Sequence, residues 1–116
     1  MIAVHGLKNC DTCRNALKWL AAQGRDYRFS DLREDGVDKA TIRRWAAAVG
    51  WERLLNRRST TWRGLPEDAR EGLDEAKALA LMAAHPALVK RPVFEAGEKI
   101  VVGFGAAERE ALAAYH

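Results

Sequence analysis

The segment up to Asp31 has the pattern of a strand, a helix and a second strand, and this order restricts the fold more than any other feature. Ile2 to Val4 is a short apolar run that ends at Gly6, which is typical of a buried strand. Tyr27–Asp31 alternates apolar and polar residues, as a second strand would. Between them, one helical face is defined by Cys13, Ala16, Leu17 and Leu20, and Gly24 suits the helix end. A β-α-β unit of this length predicts a parallel strand pair with a right-handed crossover.

The rest of the chain predicts several helices, a hairpin and a last helix. Asp38 and Asp74 can each cap a helix, and Pro66 is well placed to open a shorter one. Two short apolar runs around Gly97 predict a hairpin, and a final helix is predicted over about residues 106–115. For the helix after Asp74, the predicted inward residues are Ala76, Leu79, Ala80 and Ala83.

This order of elements predicts an α/β protein with a thioredoxin-like fold. Its β-α-β and β-β-α halves would surround a mixed sheet, with a helical insertion between them at about residues 34–86. The chain has 116 residues, 48% of them hydrophobic and 30% charged, which is typical of one globular domain spanning residues 1–116.

The charge pattern and the amino terminus exclude several classes of protein. The net charge is only +3 and basic residues alternate with acidic ones, so no nucleic-acid binding is predicted. The first residues lack the basic and apolar regions of a signal peptide, and no run reaches the roughly 18 apolar residues of a membrane span. We therefore expect a cytoplasmic protein with no membrane partner.

The two cysteines, Cys10 and Cys13, form a C-x-x-C motif at the predicted start of the first helix. Unpaired backbone N–H groups and the helix dipole stabilise negative charge at such a position. A thiolate is the reactive form of cysteine, so the motif predicts a reactive Cys10 with a pKa below the usual value near 8.5. Lys8 would add to this stabilisation.

Cys13 has two interpretations that the sequence leaves open. It lies one helical turn from Cys10, so it could be a resolving thiol, or it could be a small buried residue on the inward face. A zinc site would need two further ligands, and the histidines form no second ligand pair with the spacing of a zinc finger. These histidines are His5, His85 and His116. No metal site is predicted.

Four segments of the chain resemble the arsenate reductase (ArsC)/Spx family, and most closely its YffB-type branch. The segments are Lys8–Arg14, Leu54–Trp62, Leu88–Val93 and Val102–Phe104. They occur in the family's order, and the resemblance covers essentially the whole chain. It implies a thioredoxin-like fold with a helical insertion.

The resemblance also implies roles for individual residues. The family's nucleophilic cysteine falls on Cys10, with Cys13 as a second catalytic candidate. Its anion-binding arginine falls on Arg91, and Pro92 is commonly cis in the family and precedes a predicted strand. The arginine of the insertion falls on Arg58, with Arg57 as the alternative. The full set of expected substrate-binding residues is Arg58, Arg91, Lys8 and Arg57, and structural roles beside the site are expected for Pro92, Asn9 and Thr12.

One departure from the family concerns arsenate. Arsenate reductases carry a third arginine near the end of the hairpin, whereas residues 101–106 here contain none. A bound oxyanion would lose charge-assisted hydrogen bonds that each contribute on the order of 1.5–3 kcal/mol. The departure weakens the expectation of arsenate turnover and leaves the thiol site unaffected.

The function implied is that of an enzyme, a glutathione- or glutaredoxin-coupled thiol reductase of the arsenate reductase type. Its substrate would be a small oxyanion or a disulfide, glutathione would be the co-substrate, glutaredoxin a partner, and no cofactor would be bound. The alternative is an Spx-like regulator that binds RNA polymerase and uses Cys10 and Cys13 as a disulfide switch. Such regulators usually continue beyond the last helix, whereas this chain stops at His116, so we expect the reductase.

Overall fold

The computed structural model describes residues 1–115, so His116 lies outside the described residues. Its four strands are β1 (Ile2–Gly6), β2 (Tyr27–Asp31), β3 (Val93–Ala96) and β4 (Lys99–Val102). They form one mixed sheet in the order β2-β1-β3-β4. β1 and β2 are parallel, whereas β1 with β3 and β3 with β4 are antiparallel. The predicted α/β fold, with its parallel pair and its hairpin, is confirmed.

Seven α-helices accompany the sheet in residues 1–115. They are α1 (Asp11–Ala22), α2 (Lys39–Val49), α3 (Trp51–Leu54), α4 (Thr60–Arg63), α5 (Glu67–Arg70), α6 (Glu75–Ala84) and α7 (Ala106–Ala113), with a 3₁₀ turn over Pro86–Leu88. The Asp38 carboxylate accepts the N–H of Thr41 at 2.7 Å and the Asp74 carboxylate accepts the N–H of Lys77 at 2.8 Å, so both predicted caps are confirmed. None of these helices has the length and apolar character needed to cross a bilayer.

The chain divides into two compact units. The first comprises residues 1–35 and the chain from Arg91 onward, and it contains the whole sheet with α1 and α7. The second comprises residues 36–90 and contains α2 to α6, where the sequence predicted an insertion at about residues 34–86. That both units belong to a single domain stays a prediction.

The core of the first unit packs one face of the sheet against α1 and α7. Ile2 and Val4 alternate inward along β1, and Leu20 and Leu112 are buried with them from the two helices. Phe94 of β3 is fully buried in the same cluster. Burial of each such side chain stabilises the fold by about 1.5–3 kcal/mol. This core holds β1 and α1 together and so determines where the segment between them lies.

The predicted inward face of α6 was wrong in most positions. Ala76 and Ala80 are exposed and Ala83 is half-buried, and only Leu79 was correct. The buried residues are Ala78, Leu79 and Met82. Alanines occur all around this helix, so their spacing does not identify one face, whereas burial of the larger Met82 side chain removes more apolar surface from water.

Candidate active site

Cys10 lies in the first unit between β1 and α1, at the residue directly before the helix. Its backbone is extended (φ −123°, ψ 117°) and its carbonyl accepts the N–H of Arg14 at 3.0 Å. Its side chain makes no capping hydrogen bond, and the residue is half-buried. The sulfur is therefore held where the unpaired N–H groups of a 12-residue helix stabilise an anion.

Three neighbouring groups determine the protonation of Cys10. Partial burial by itself would raise the pKa of this thiol. The backbone N–H of Cys13, which acts on the sulfur without making a capping hydrogen bond, combines with the Cys13 thiol and the Arg91 guanidinium to outweigh that effect and hold the pKa of Cys10 below its ordinary value. The arrangement therefore favours a thiolate at Cys10, which is the nucleophilic form.

Cys13 has the opposite environment. Its side chain is 1% exposed, and burial raises the pKa of its thiol to about 12, although a hydrogen bond from the Leu7 backbone acts in the other direction. The hydrogen bond to Cys10 and the negative charge there raise this pKa further. Cys13 consequently stays protonated at neutral pH and donates its S–H to the Cys10 sulfur.

Arg91 lies two residues before the start of β3 and interacts with Cys10. Its guanidinium hydrogen-bonds the Cys10 sulfur, so the structure brings these two predicted site residues together. The Arg91–Pro92 peptide bond is cis, in agreement with what the resemblance implied for this proline. Pro92 is buried, and its carbonyl accepts the N–H of Gly103 at 2.9 Å, which ties the start of β3 to the end of β4.

Lys8 is held by two acidic residues. Its backbone N–H donates to Asp31 Oδ2 at 2.9 Å, and its ammonium donates to Glu34 Oε2 at 2.8 Å. The hydrogen bond to Glu34 and the nearby negative charges raise the pKa of Lys8. Asn9 and Thr12 are exposed on either side of Cys10. Substrate binding by Lys8 and structural roles for Asn9 and Thr12 stay predictions.

Asp31 is a structural residue of this site that sequence reasoning missed. It is buried at the end of β2, and its carboxylate accepts the N–H groups of Lys8, Arg33 and Glu34 at 2.8–2.9 Å. Burial by itself would raise the pKa of Asp31, but these three hydrogen bonds outweigh it and lower the pKa. An acidic residue at the end of a strand, directly before a turn, was the available signal.

Arg57 and Arg58 lie in the second unit, on the loop between α3 and α4. The Arg58 N–H donates to Asn56 Oδ1 at 3.0 Å, and the Arg57 guanidinium lies 5.9 Å from the centroid of the Trp51 ring. Both arginines are exposed. They line a cleft of about 410 Å³ together with Glu52, Arg53, Leu55, Asn56 and Lys90. Their participation in the chemistry of Cys10 stays a prediction.

No group of three or more potential metal ligands occurs among residues 1–115. Of the histidines there, His5 of β1 lies in the sheet, and its Nε2 is 3.1 Å from the carboxylate of Glu95 on β3.

The fold and the cysteine pair together define a thioredoxin-like thiol protein. The sequence model of the ArsC family matches residues 5–112, and the chain belongs to the ArsC family. It is 42% identical to an uncharacterized protein of Haemophilus influenzae, over 96% of this chain and 97% of that one. It is similar to the solved YffB protein, with 41% identity and a TM-score of 0.91 over the full length of both chains. An arsenate reductase (ArsC) related protein from Brucella melitensis is 48% identical, with a TM-score of 0.76 over 95% of this chain and 92% of that one.

Proposed function

We propose that this protein is a thiol reductase of the arsenate reductase type, with Cys10 as its nucleophile. The observation that carries the proposal is the Cys10 sulfur at the start of α1, which receives hydrogen bonds from the Arg91 guanidinium and from Cys13. Membership of the ArsC family and the likeness to a Brucella melitensis protein described as arsenate reductase related support the same class.

With a disulfide substrate, the proposed reaction is two successive thiol–disulfide exchanges. The Cys10 thiolate attacks one sulfur of the substrate, forms a mixed disulfide and releases the other sulfur as a thiolate. A glutathione thiolate then attacks the substrate sulfur of this mixed disulfide, which regenerates the Cys10 thiolate and leaves the substrate joined to glutathione. Each step transfers one electron pair between sulfurs, and glutaredoxin with further glutathione reduces the last disulfide.

With arsenate, the Cys10 thiolate would displace a hydroxyl ligand of arsenic(V), which takes a proton from solvent and leaves as water. Glutathione thiolate would then attack the Cys10 sulfur. The electron pair of the sulfur–arsenic bond would pass to arsenic, giving arsenic(III) and a mixed disulfide of Cys10 with glutathione. The absence of arginine from residues 101–106 makes a disulfide the better substrate of the two.

The cleft in the second unit has charged side chains that complement the charged groups of glutathione, the proposed co-substrate. Its lining includes the cationic side chains of Arg53, Arg57, Arg58 and Lys90 and one acidic side chain, Glu52. Glutathione carries two carboxylates and one ammonium group at neutral pH. Guanidinium groups bind carboxylates through charge-assisted hydrogen bonds, and Glu52 offers a partner for the ammonium.

The test is NADPH oxidation coupled through glutathione reductase and glutathione, with either arsenate in the presence of glutaredoxin or 2-hydroxyethyl disulfide in its absence, because glutaredoxin reduces that disulfide by itself. The rate without the protein is subtracted from each measurement. We expect substrate-dependent oxidation above this background by the wild type and none above it by Cys10→Ser. Asp26→Asn, which changes an exposed residue before β2, should behave as the wild type. Equal activity of the wild type and Cys10→Ser, or no activity with either substrate, would refute the proposal.

A second candidate is a redox-regulated protein that binds RNA polymerase. The observation in its favour is the interaction of the Cys13 thiol with the Cys10 sulfur, one helical turn away on the same chain segment. Co-purification with RNA polymerase that depends on the oxidation state of the cysteines would favour this candidate. Polymerase binding that is absent in both oxidation states would rule it out.

A further inference from the structure

Gly6, the last residue of β1, occupies a position that has no room for a side chain. A Cβ built on Gly6 would lie 2.5 Å from the Cys13 sulfur and 3.3 Å from the Cys13 Cβ. Gly6 is not among the glycines with left-handed backbone angles, so its conformation is open to other residues. The missing side chain, and not backbone freedom, is therefore what the structure requires at this position.

The backbone on either side of this contact is fixed. Gly6 pairs with Asp31 of β2, and its carbonyl accepts the N–H of Leu32 at 2.8 Å. Cys13 lies in the first turns of α1, with Ala16 and Leu20 of the same helix face buried in the core. An added methyl group at residue 6 would clash with the Cys13 sulfur, and movement of that sulfur would relieve the clash. The same sulfur carries the proton that Cys13 donates to Cys10.

We propose that Gly6 is a positioning residue of the thiol site, because its missing Cβ leaves the niche that holds the Cys13 sulfur in hydrogen-bonding contact with Cys10. Gly6 itself touches no substrate and acts only through Cys13. The proposal deepens the proposed function and rests on it only in taking Cys10 as the nucleophile. Its test measures the reactivity of the Cys10 thiol directly and uses no enzyme substrate.

The first experiment compares the wild type with Gly6→Ala by the rate of iodoacetamide alkylation of Cys10 across a range of pH, with mass spectrometry to assign the modified cysteine. Displacement of the Cys13 donor should raise the pKa of Cys10. We expect alkylation at mildly acidic pH to slow by roughly three- to tenfold, since the rate follows the thiolate fraction. An unchanged pH profile in a folded Gly6→Ala protein would overturn the proposal.

The second experiment repeats the substitution in a Cys13→Ala background. This variant has no sulfur at residue 13, so Gly6→Ala should cause no further slowing there if Gly6 acts through Cys13. Equal slowing in both backgrounds would overturn the proposal. Gly64→Ala is the matched control, because a Cβ there would have its closest contact at 3.4 Å and its φ is −81°.

The same set of variants covers the case in which Gly6→Ala does not fold. If the double variant Gly6→Ala/Cys13→Ala folds, the failure of Gly6→Ala comes from a clash with the Cys13 sulfur, as proposed. If neither the single nor the double variant folds, the proposal is overturned. The alkylation test of Gly6 and the turnover test of the proposed reductase can succeed or fail independently. A shifted alkylation profile in a protein without reductase turnover would refute the reductase and leave the role of Gly6 standing.

Discussion

The backbone N–H of Lys8 donates a hydrogen bond to Asp31 Oδ2 at 2.9 Å. This bond joins the segment before Cys10 to the end of β2. The same carboxylate accepts the N–H groups of Arg33 and Glu34, so one buried side chain satisfies three backbone donors. The position of the segment that leads to Cys10 therefore depends on a residue of the neighbouring strand.

Replacement of Asp31 by alanine should destabilise the fold. The three backbone N–H groups would lose their acceptor, and a buried unsatisfied donor costs about 1–3 kcal/mol. Because Lys8, Arg33 and Glu34 are exposed, water replaces part of this acceptor, and we expect a total loss of roughly 2–4 kcal/mol in the free energy of unfolding measured with urea. Asp26→Ala removes an exposed carboxylate just before β2 and should change the free energy of unfolding by less than about 0.5 kcal/mol. Similar losses in the two variants would contradict the role assigned to Asp31.

The lowered pKa of Asp31 predicts a pH dependence of stability. Because the folded-state pKa lies below the unfolded value of about 3.9, the ionised carboxylate stabilises the fold above that pH. This contribution should be lost as the pH falls from about 4 through the folded-state pKa. Urea unfolding of the wild type and Asp31→Asn over this range checks it. The stability difference between the two should shrink as the pH falls, and a constant difference would contradict the prediction.

The Arg91 guanidinium should lower the pKa of Cys10 measurably. In Arg91→Gln the Cys10 sulfur loses a cationic hydrogen-bond donor. Because solvent screens part of the charge at this half-buried site, we expect alkylation of Cys10 by iodoacetamide at mildly acidic pH to slow by roughly three- to tenfold. Arg28→Gln removes an exposed arginine from β2 and serves as the control. An equal effect of the two substitutions would indicate general electrostatics in place of a direct hydrogen bond.

Cys13 should be a poor resolving thiol. Its sulfur is buried, and burial is the largest cause that raises its pKa. This cause persists when Cys10 carries an adduct, so little Cys13 thiolate is available at neutral pH to attack the mixed disulfide. After treatment with oxidised glutathione, we expect mass spectrometry to find a persistent glutathione adduct on Cys10 in both the wild type and Cys13→Ala. Rapid conversion of the wild-type adduct to an internal disulfide, with a lasting adduct only in Cys13→Ala, would show that Cys13 resolves.

Local patterns were sufficient for most of the elements and for the position of Cys10 at the start of the first helix. The alternation in Tyr27–Asp31 and the caps at Asp38 and Asp74 involve residues within one or two turns of each other. The placement of Cys10 at the start of α1 is of the same kind. Short-range hydrogen bonds and side-chain periodicity decide such features, and the sequence contains both.

Contacts between distant parts of the chain were decided by the tertiary structure. The sequence alone did not reveal that Asp31 would hold the segment before Cys10, that Gly6 would leave space for the Cys13 sulfur, or that Met82 would define the inward face of α6. Arg91 was assigned to the site through the resemblance alone, and only the folded chain brings its guanidinium to Cys10. The sequence by itself therefore determined the elements and the chemical group, because these follow from neighbours along the chain. The contribution of Arg91 to the pKa of that group, and the contacts that hold the segment before it, depend on packing between strands and helices that are far apart in sequence.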